Sequence, residues 1–126
     1  MTNAERQDLA ERTADFGKNI RRWLHQLPKQ LAYSDDAKQL LRSSGSVGAN
    51  YIEANEAFTK KDCAYHLKIS RKEAKESMFW LDMFDMRLEP ALEQERLSLL
   101  KEARSLKLIF HSIIQKYYTP QPQPLT

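Results

Sequence analysis

Cys63-Ala64-Tyr65-His66-Leu67-Lys68-Ile69-Ser70-Arg71-Lys72-Glu73-Ala74-Lys75-Glu76-Ser77-Met78-Phe79-Trp80-Leu81 decides the fold. Cys63, Leu67, Ser70, Ala74, Ser77, Leu81, Phe84 and Leu88 follow one another in alternating steps of four and three. That spacing lays them along one side of an α-helix and is the seam of a helix bundle. A strand would need a period of two, and no Asn-Gly or Asp-Gly hairpin signal occurs anywhere in the chain.

Working outward, three more segments repeat the pattern. Leu9, Thr13, Phe16, Ile20, Trp23 or Leu24, and Leu27 predict a first helix over about residues 3–27, stopped by Pro28. Ser34-Asp35-Asp36 is a helix start, since a side-chain oxygen takes up a free backbone N–H and the acids complement the dipole. From it the stripe Ala37, Leu41, Ser44, Gly48, Tyr51 and Asn55 runs to about residue 57. Thr59-Lys60-Lys61-Asp62 opens the third helix, which the seam carries to Leu88. After Pro90, suited to a first helical turn, Leu92, Leu99, Ala103, Leu106, Phe110, Ile113 and Tyr117 define the fourth. Short connections make successive helices antiparallel neighbours, so the expected fold is an all-α, antiparallel up-down-up-down four-helix bundle over residues 1–119. Residues 120–126, where proline alternates with polar residues, are expected to form an extended tail.

Composition narrows the class. At 126 residues, 41% of them hydrophobic, the chain supports one core. A single cysteine rules out an internal disulfide, and the first residues lack the apolar stretch of a secretion signal. A cytoplasmic location is therefore expected, and, without an apolar run long enough to span a bilayer, no membrane partner. The net charge of +3 is spread thinly, with eight basic and eight acidic residues in 1–58, seven and five in 59–88, and five and four in 89–126. A pI near 9 permits attraction to nucleic acid but is not a clustered basic face.

The middle of the second helix, Arg42-Ser43-Ser44-Gly45-Ser46-Val47-Gly48-Ala49-Asn50, is unusually small. Two interior glycines cost about 2 kcal/mol relative to alanine, which close approach of another helix offsets. A phosphate loop is the competing reading, but the Walker lysine and the Gly-x-Gly-x-x-Gly spacing are missing. A polar stripe of Gln39, Arg42, Ser46, Asn50 and Glu53 faces Ser70, Glu73 and Glu76 of the third helix, and is read as an interhelical polar network. Glu73 and Glu76 do not make a di-metal site, since a bundle metal centre also needs Glu-x-x-His pairs, and none occurs. His25, His66 and His111 lie on three different helices, so neither a metal nor another cofactor is expected.

Phe79, Trp80 and Met83, beside Met78 and Phe84, spread apolar surface over more of the third helix than one interior uses, and are the candidate oligomer interface. Candidate nucleic-acid contacts are Lys60, Lys61, Arg71, Lys72 and Lys75, with Glu73 and Glu76 between them expected to blunt the local field. No convergent polar pocket is apparent, so neither enzymatic activity nor a small-molecule substrate is expected.

Gln39-Leu40-Leu41-Arg42-Ser43-Ser44-Gly45-Ser46-Val47-Gly48-Ala49-Asn50-Tyr51-Ile52-Glu53 resembles the helix-two signature of the four-helix bundle proteins encoded in intervening sequences of bacterial 23S ribosomal RNA genes. Gln39, Arg42, Ser46, Ala49, Asn50 and Glu53 fall where that pattern expects them, Leu27-Pro28 matches its proline junction, and Ser70, Glu73-Ala74, Glu76 and Phe79-Trp80-Leu81 match its helix three. Ser43 and Ser44 stand where alanines are usual, and Ala54 replaces a common glycine. The resemblance covers about residues 20–88 and implies a bundle assembled into a homo-oligomeric ring, a pentamer, without enzymatic activity. Its relatives include accessory proteins of diversity-generating retroelements, whose basic surfaces are thought to engage nucleic acid, which makes RNA or DNA the implied partner. Five copies would carry about +15. The alternative function is a protein-interaction scaffold with no nucleic-acid role.

Overall fold

In the computed structural model, which describes residues 1–84 and 88–120, the helices are α1 (Asn3–His25), α2 (Lys29–Ala32), α3 (Asp35–Glu56), α4 (Lys60–Asp82) and α5 (Pro90–Tyr117). Four long helices follow the four expected segments, and α2 is one extra turn in the α1–α3 connection.

Local chemistry sets the helix starts. Thr2 and Glu5 form a reciprocal capping box, Thr2 Oγ1 accepting from the Glu5 N–H and Glu5 Oε2 from the Thr2 N–H, both at 3.1 Å. Ser34 Oγ accepts from the Ala37 N–H at 3.2 Å and Thr59 Oγ1 from the Asp62 N–H at 3.1 Å, as their sequences predict. Pro90 occupies the first turn of α5.

The antiparallel helices pack in sequence order, α1 on α3, α3 on α4 and α4 on α5, and α5 returns to α1. Among the four long helices the α3/α4 contact is the most extensive and α1/α5 the lightest. Phe16, Ile20, Trp23, Leu40, Val47, Tyr51, Ala74, Leu81, Phe84, Leu106 and Phe110 form the centre of the core. Trp23 meets Phe84 edge to face at 5.4 Å and donates from Nε1 to the Leu92 carbonyl at 2.9 Å. The α1/α5 seam is tied by Arg12, whose Nε and Nη2 grip the two oxygens of Glu102 at 2.8 and 2.6 Å while Nη2 also reaches Ser105 Oγ.

The small residues of α3 do bring helices together, against α1. A Cβ at Gly48 would stand 3.3 Å from Thr13 Oγ1, and one at Gly17 would stand 3.6 Å from the Ser44 carbonyl oxygen. Opposite, Ser43 and Ser77 share a hydrogen bond of 2.9 Å, and Ser70 Oγ donates to the Val47 carbonyl at 2.9 Å, so the α3/α4 crossing is close and internally satisfied.

Three expectations shift. The third helix stops at Asp82, not Leu88, with Met83 as its C-cap; Leu88 still packs on the core from the connection. On α3, Leu40 rather than Leu41 is fully buried and Asn55 is exposed; on α5, Ile114 takes the place expected for Ile113, and Tyr117 is 43% exposed. Buried Arg96 was not anticipated: Nη1 donates to the Leu81 carbonyl at 3.1 Å, Nε and Nη2 bind Glu93, and Asp82 lies 3.8 Å away. It thereby satisfies a carbonyl at the C-terminal end of α4. Of the expected tail, residues 121–126 lie outside the described residues.

Candidate nucleic-acid interface

Successive residues of an α-helix turn by about 100°. On α4 that rotation divides the polar residues into three lines. One faces α3, one faces α5 and one faces away from the bundle.

The α3 side carries the acids. Arg42 Nη1 is 3.3 Å from both carboxylate oxygens of Glu73, and Arg42 Nη2 is 2.9 Å from Glu76 Oε2. The Glu73 side chain is 7% exposed, whereas that of Arg42 is 52% exposed, so a largely covered carboxylate is matched by a cation at the rim. The Arg42 guanidinium is partly desolvated, but the hydrogen bonds and charge of Glu73 and then Glu76 outweigh this and push its pKa up. Gln39 Oε1 accepts from Arg42 Nε at 3.5 Å.

Two turns further along, Asn50 Nδ2 donates to the Ser46 carbonyl at 3.0 Å and to Ser46 Oγ at 2.9 Å, while Asn50 Oδ1 lies 3.1 Å from His66 Nδ1. A carbonyl-type oxygen only accepts, so His66 Nδ1 carries the proton. The expected polar network is therefore two clusters, Gln39–Arg42–Glu73–Glu76 and Ser46–Asn50–His66, with Ser70 bonded to the α3 backbone between them. Glu53 joins neither: it is exposed and has no hydrogen bond or ion pair among the described residues.

The α5 side carries Arg71, half-buried, with Nη1 3.0 Å from His111 Nδ1. The guanidinium can only donate, so this His111 nitrogen accepts. Arg104, two turns before His111 and exposed, shares that side of α5.

The outward line is basic. Lys61, Lys68, Lys72 and Lys75 are all exposed and fall within an arc of about 60°, with exposed Tyr65 just beside it. None has an ion-pair partner among the described residues. Glu73 and Glu76 stand off this ridge, on the α3 side of α4, where both pair with Arg42; the three together keep one net negative charge beside the lysines. Of the five candidate contacts, Lys61, Lys72 and Lys75 stand on the ridge, Arg71 flanks it and Lys60 is displaced toward the end of the bundle. Lys68 was missed, although its spacing of four from Lys72 and seven from Lys75 places it there.

Continuing the same line toward the C-terminal end of α4, Phe79 is 54% and Met83 39% exposed, and Phe79 packs edge to face on half-buried Trp80 at 4.9 Å. These candidate interface residues thus form one apolar patch at the end of the basic ridge.

Among the described residues there is no group of three or more His, Cys, Asp or Glu placed to hold a metal ion, and no helix is long and apolar enough to cross a membrane.

No curated protein matches the chain. A crystal structure of a protein of unknown function from the S23 ribosomal protein family of Bacteroides thetaiotaomicron VPI-5482 superposes with a TM-score of 0.77 at 25% identity, covering 88% of this chain and 98% of that one. The family model for the 23S rRNA-intervening sequence protein matches residues 5–112. With that match running from the start of α1 almost to the end of α5, the chain belongs to the 23S rRNA-intervening sequence protein family.

Proposed function

We propose that this protein is a non-catalytic nucleic-acid-binding protein that works as a homo-oligomer, with the lysine ridge of α4 as its phosphate-contacting surface. The observation that carries the reading is the segregation of charge on α4: Glu73 and Glu76 are held by Arg42 while Lys61, Lys68, Lys72 and Lys75 face outward without carboxylate partners among the described residues. Lysines spaced along a rod are suited to a row of phosphates, and Tyr65 offers a ring for an unpaired base. Arg71, Arg104 and His111 extend the surface toward α5. Such contacts read backbone rather than sequence, so affinity for many RNAs and DNAs is expected.

Fluorescence anisotropy with a labelled stem-loop RNA and a DNA duplex at low salt tests this. Binding by the native protein, lost in the combined variant Lys68→Glu, Lys72→Glu and Lys75→Glu, supports it. No binding to either probe at tens of micromolar protein, taken as about the weak end of non-specific affinity, overturns it.

The Phe79–Trp80–Met83 patch favours self-association, with a pentameric ring as the assembly implied by the resemblance. Static light scattering decides this, and a mass of one chain at all concentrations would remove it. The same patch supports the second reading, a scaffold for another protein; partners that survive nuclease treatment in a pull-down would favour it.

A further inference from the structure

At the end of the bundle where α1 and α4 begin and α3 and α5 finish, the helix ends line a cavity of about 380 Å³. That is within the range of small-molecule sites. Its lining includes Arg6, Tyr51, Phe58, Lys60, Cys63 and Tyr118. Among the described residues no carboxylate lines it, and neither Arg6 nor Lys60 has an ion-pair partner. Arg6 lines the cavity together with Tyr51 and Tyr118, and its positive charge is felt at both phenols. The Tyr51 hydroxyl donates to the Arg6 carbonyl at 3.4 Å, and the Tyr118 hydroxyl lies 3.0 Å from Cys63 Sγ. Phe58, at the lip, is fully exposed, and packing within the chain does not account for an aromatic ring there.

Two cations, phenolic hydroxyls and aromatic walls without an opposing acid are complementary to an anion attached to a flat ring. We propose that this cavity binds a single nucleoside phosphate, its phosphate on Arg6 and Lys60 and its base against the Phe58 and Tyr118 rings. The choice of a nucleotide among ring-bearing anions rests on the function proposed above. Lys61, the first ridge residue, follows Lys60 directly, so a strand held on α4 leads to the cavity mouth. A free mononucleotide and the phosphorylated end of a strand share this chemistry.

Cys63, the lone thiol, reports occupancy from inside the cavity. Its alkylation by iodoacetamide is followed by mass spectrometry on the full-length protein with AMP, UMP, adenosine or inorganic phosphate. A nucleotide that fills about nine-tenths of the sites slows labelling about tenfold, whereas adenosine and phosphate, each offering half of the contacts, slow it much less. The double variant Arg6→Gln, Lys60→Gln, both exposed positions and checked for native helicity, loses the protection. Protection by a 5′-phosphorylated oligonucleotide but not its unphosphorylated twin identifies a strand end; protection by mononucleotides alone identifies a free nucleotide. No slowing by AMP, UMP or the phosphorylated strand, or slowing that is unchanged in the double variant, overturns the inference. The ridge variant Lys68→Glu, Lys72→Glu, Lys75→Glu separates the two claims, because mononucleotide protection survives in it. Protection without RNA binding by the native protein refutes the ridge and leaves the cavity; RNA binding without protection does the reverse.

Discussion

Arg42 of α3 is shared by two carboxylates of α4, with Nη1 3.3 Å from Glu73 and Nη2 2.9 Å from Glu76, so a single guanidinium both neutralises a largely covered charge and pairs with a second acid that stands off the lysine ridge. Replacing it leaves Glu73 without its cation. Arg42→Ala is expected to destabilise the fold by about 2 kcal/mol, less than a fully buried pair would cost because the arginine is half-exposed. Adding Glu73→Leu should return much of that loss. Urea denaturation of the single and double variants measures both, and an additive loss would show that the pair is not coupled.

The three glycines separate by what a methyl group would meet. At Gly17 the nearest atoms are 3.5 Å or farther, and at Gly45 the only close atom is the flexible end of Arg21 at 3.1 Å. Gly17→Ala and Gly45→Ala should each raise stability by about 0.5–1 kcal/mol through helix propensity. At Gly48 the methyl meets Thr13 Oγ1 at 3.3 Å and Cβ at 3.4 Å, on a side chain only 2% exposed. There the propensity gain is offset, and Gly48→Leu should cost about 2–3 kcal/mol by overpacking. Thermal unfolding of the three variants gives the order.

Arg96 holds the C-terminal end of α4 to α5. Arg96→Met keeps the apolar stem but leaves the Leu81 carbonyl without this donor, and about 2 kcal/mol of stability should be lost. In the native protein the Arg96 hydrogen bond, its largest influence, holds the Glu93 carboxyl below its ordinary value. Because the folded-state pKa is depressed, this contribution is present above the unfolded value near 4.5 and fades as pH falls through the folded one. Carbon-detected NMR titration should find Glu93 back near its ordinary pKa in Arg96→Met.

Contact with Cys63, reinforced by burial, pushes the Tyr118 phenol up to about 12. A folded-state pKa above the unfolded value near 10 means a contribution fully present below pH 10 and lost as pH rises toward 12. Cys63→Ala should therefore lower the Tyr118 pKa and make its ionisation overlap that of the exposed tyrosines. Absorbance titration near 295 nm, with Tyr118→Phe to assign the late step, checks it.

Much of the bundle was legible from apolar spacing, because each long helix buries one continuous stripe: Leu67, Ser70, Ala74, Ser77 and Leu81 are buried in sequence and space alike. Capping at Ser34 and Thr59 was legible for the same local reason. The end of α4 was not, since Phe84 and Leu88 keep the period while the chain turns after Asp82 and still packs on the core. Arg96 was missed because a period marks where a side chain points, not whether a charged one finds partners there. The candidate surface was half legible. Lysine positions follow from the helix, but the pairing of Glu73 and Glu76 with Arg42, thirty-one and thirty-four residues away in sequence, does not. The cavity beside Cys63 gathers residues from the ends of four helices, and no local pattern announces it.

The most direct test of the central claim is the salt dependence of RNA affinity for the native protein and for Lys68→Gln, Lys72→Gln and Lys75→Gln taken singly. If α4 carries the phosphate contacts, log K falls linearly with log salt concentration, and each removed lysine reduces the slope by about one while affinity drops similarly for unrelated sequences. A slope near zero, or one that none of the three substitutions changes, would contradict it.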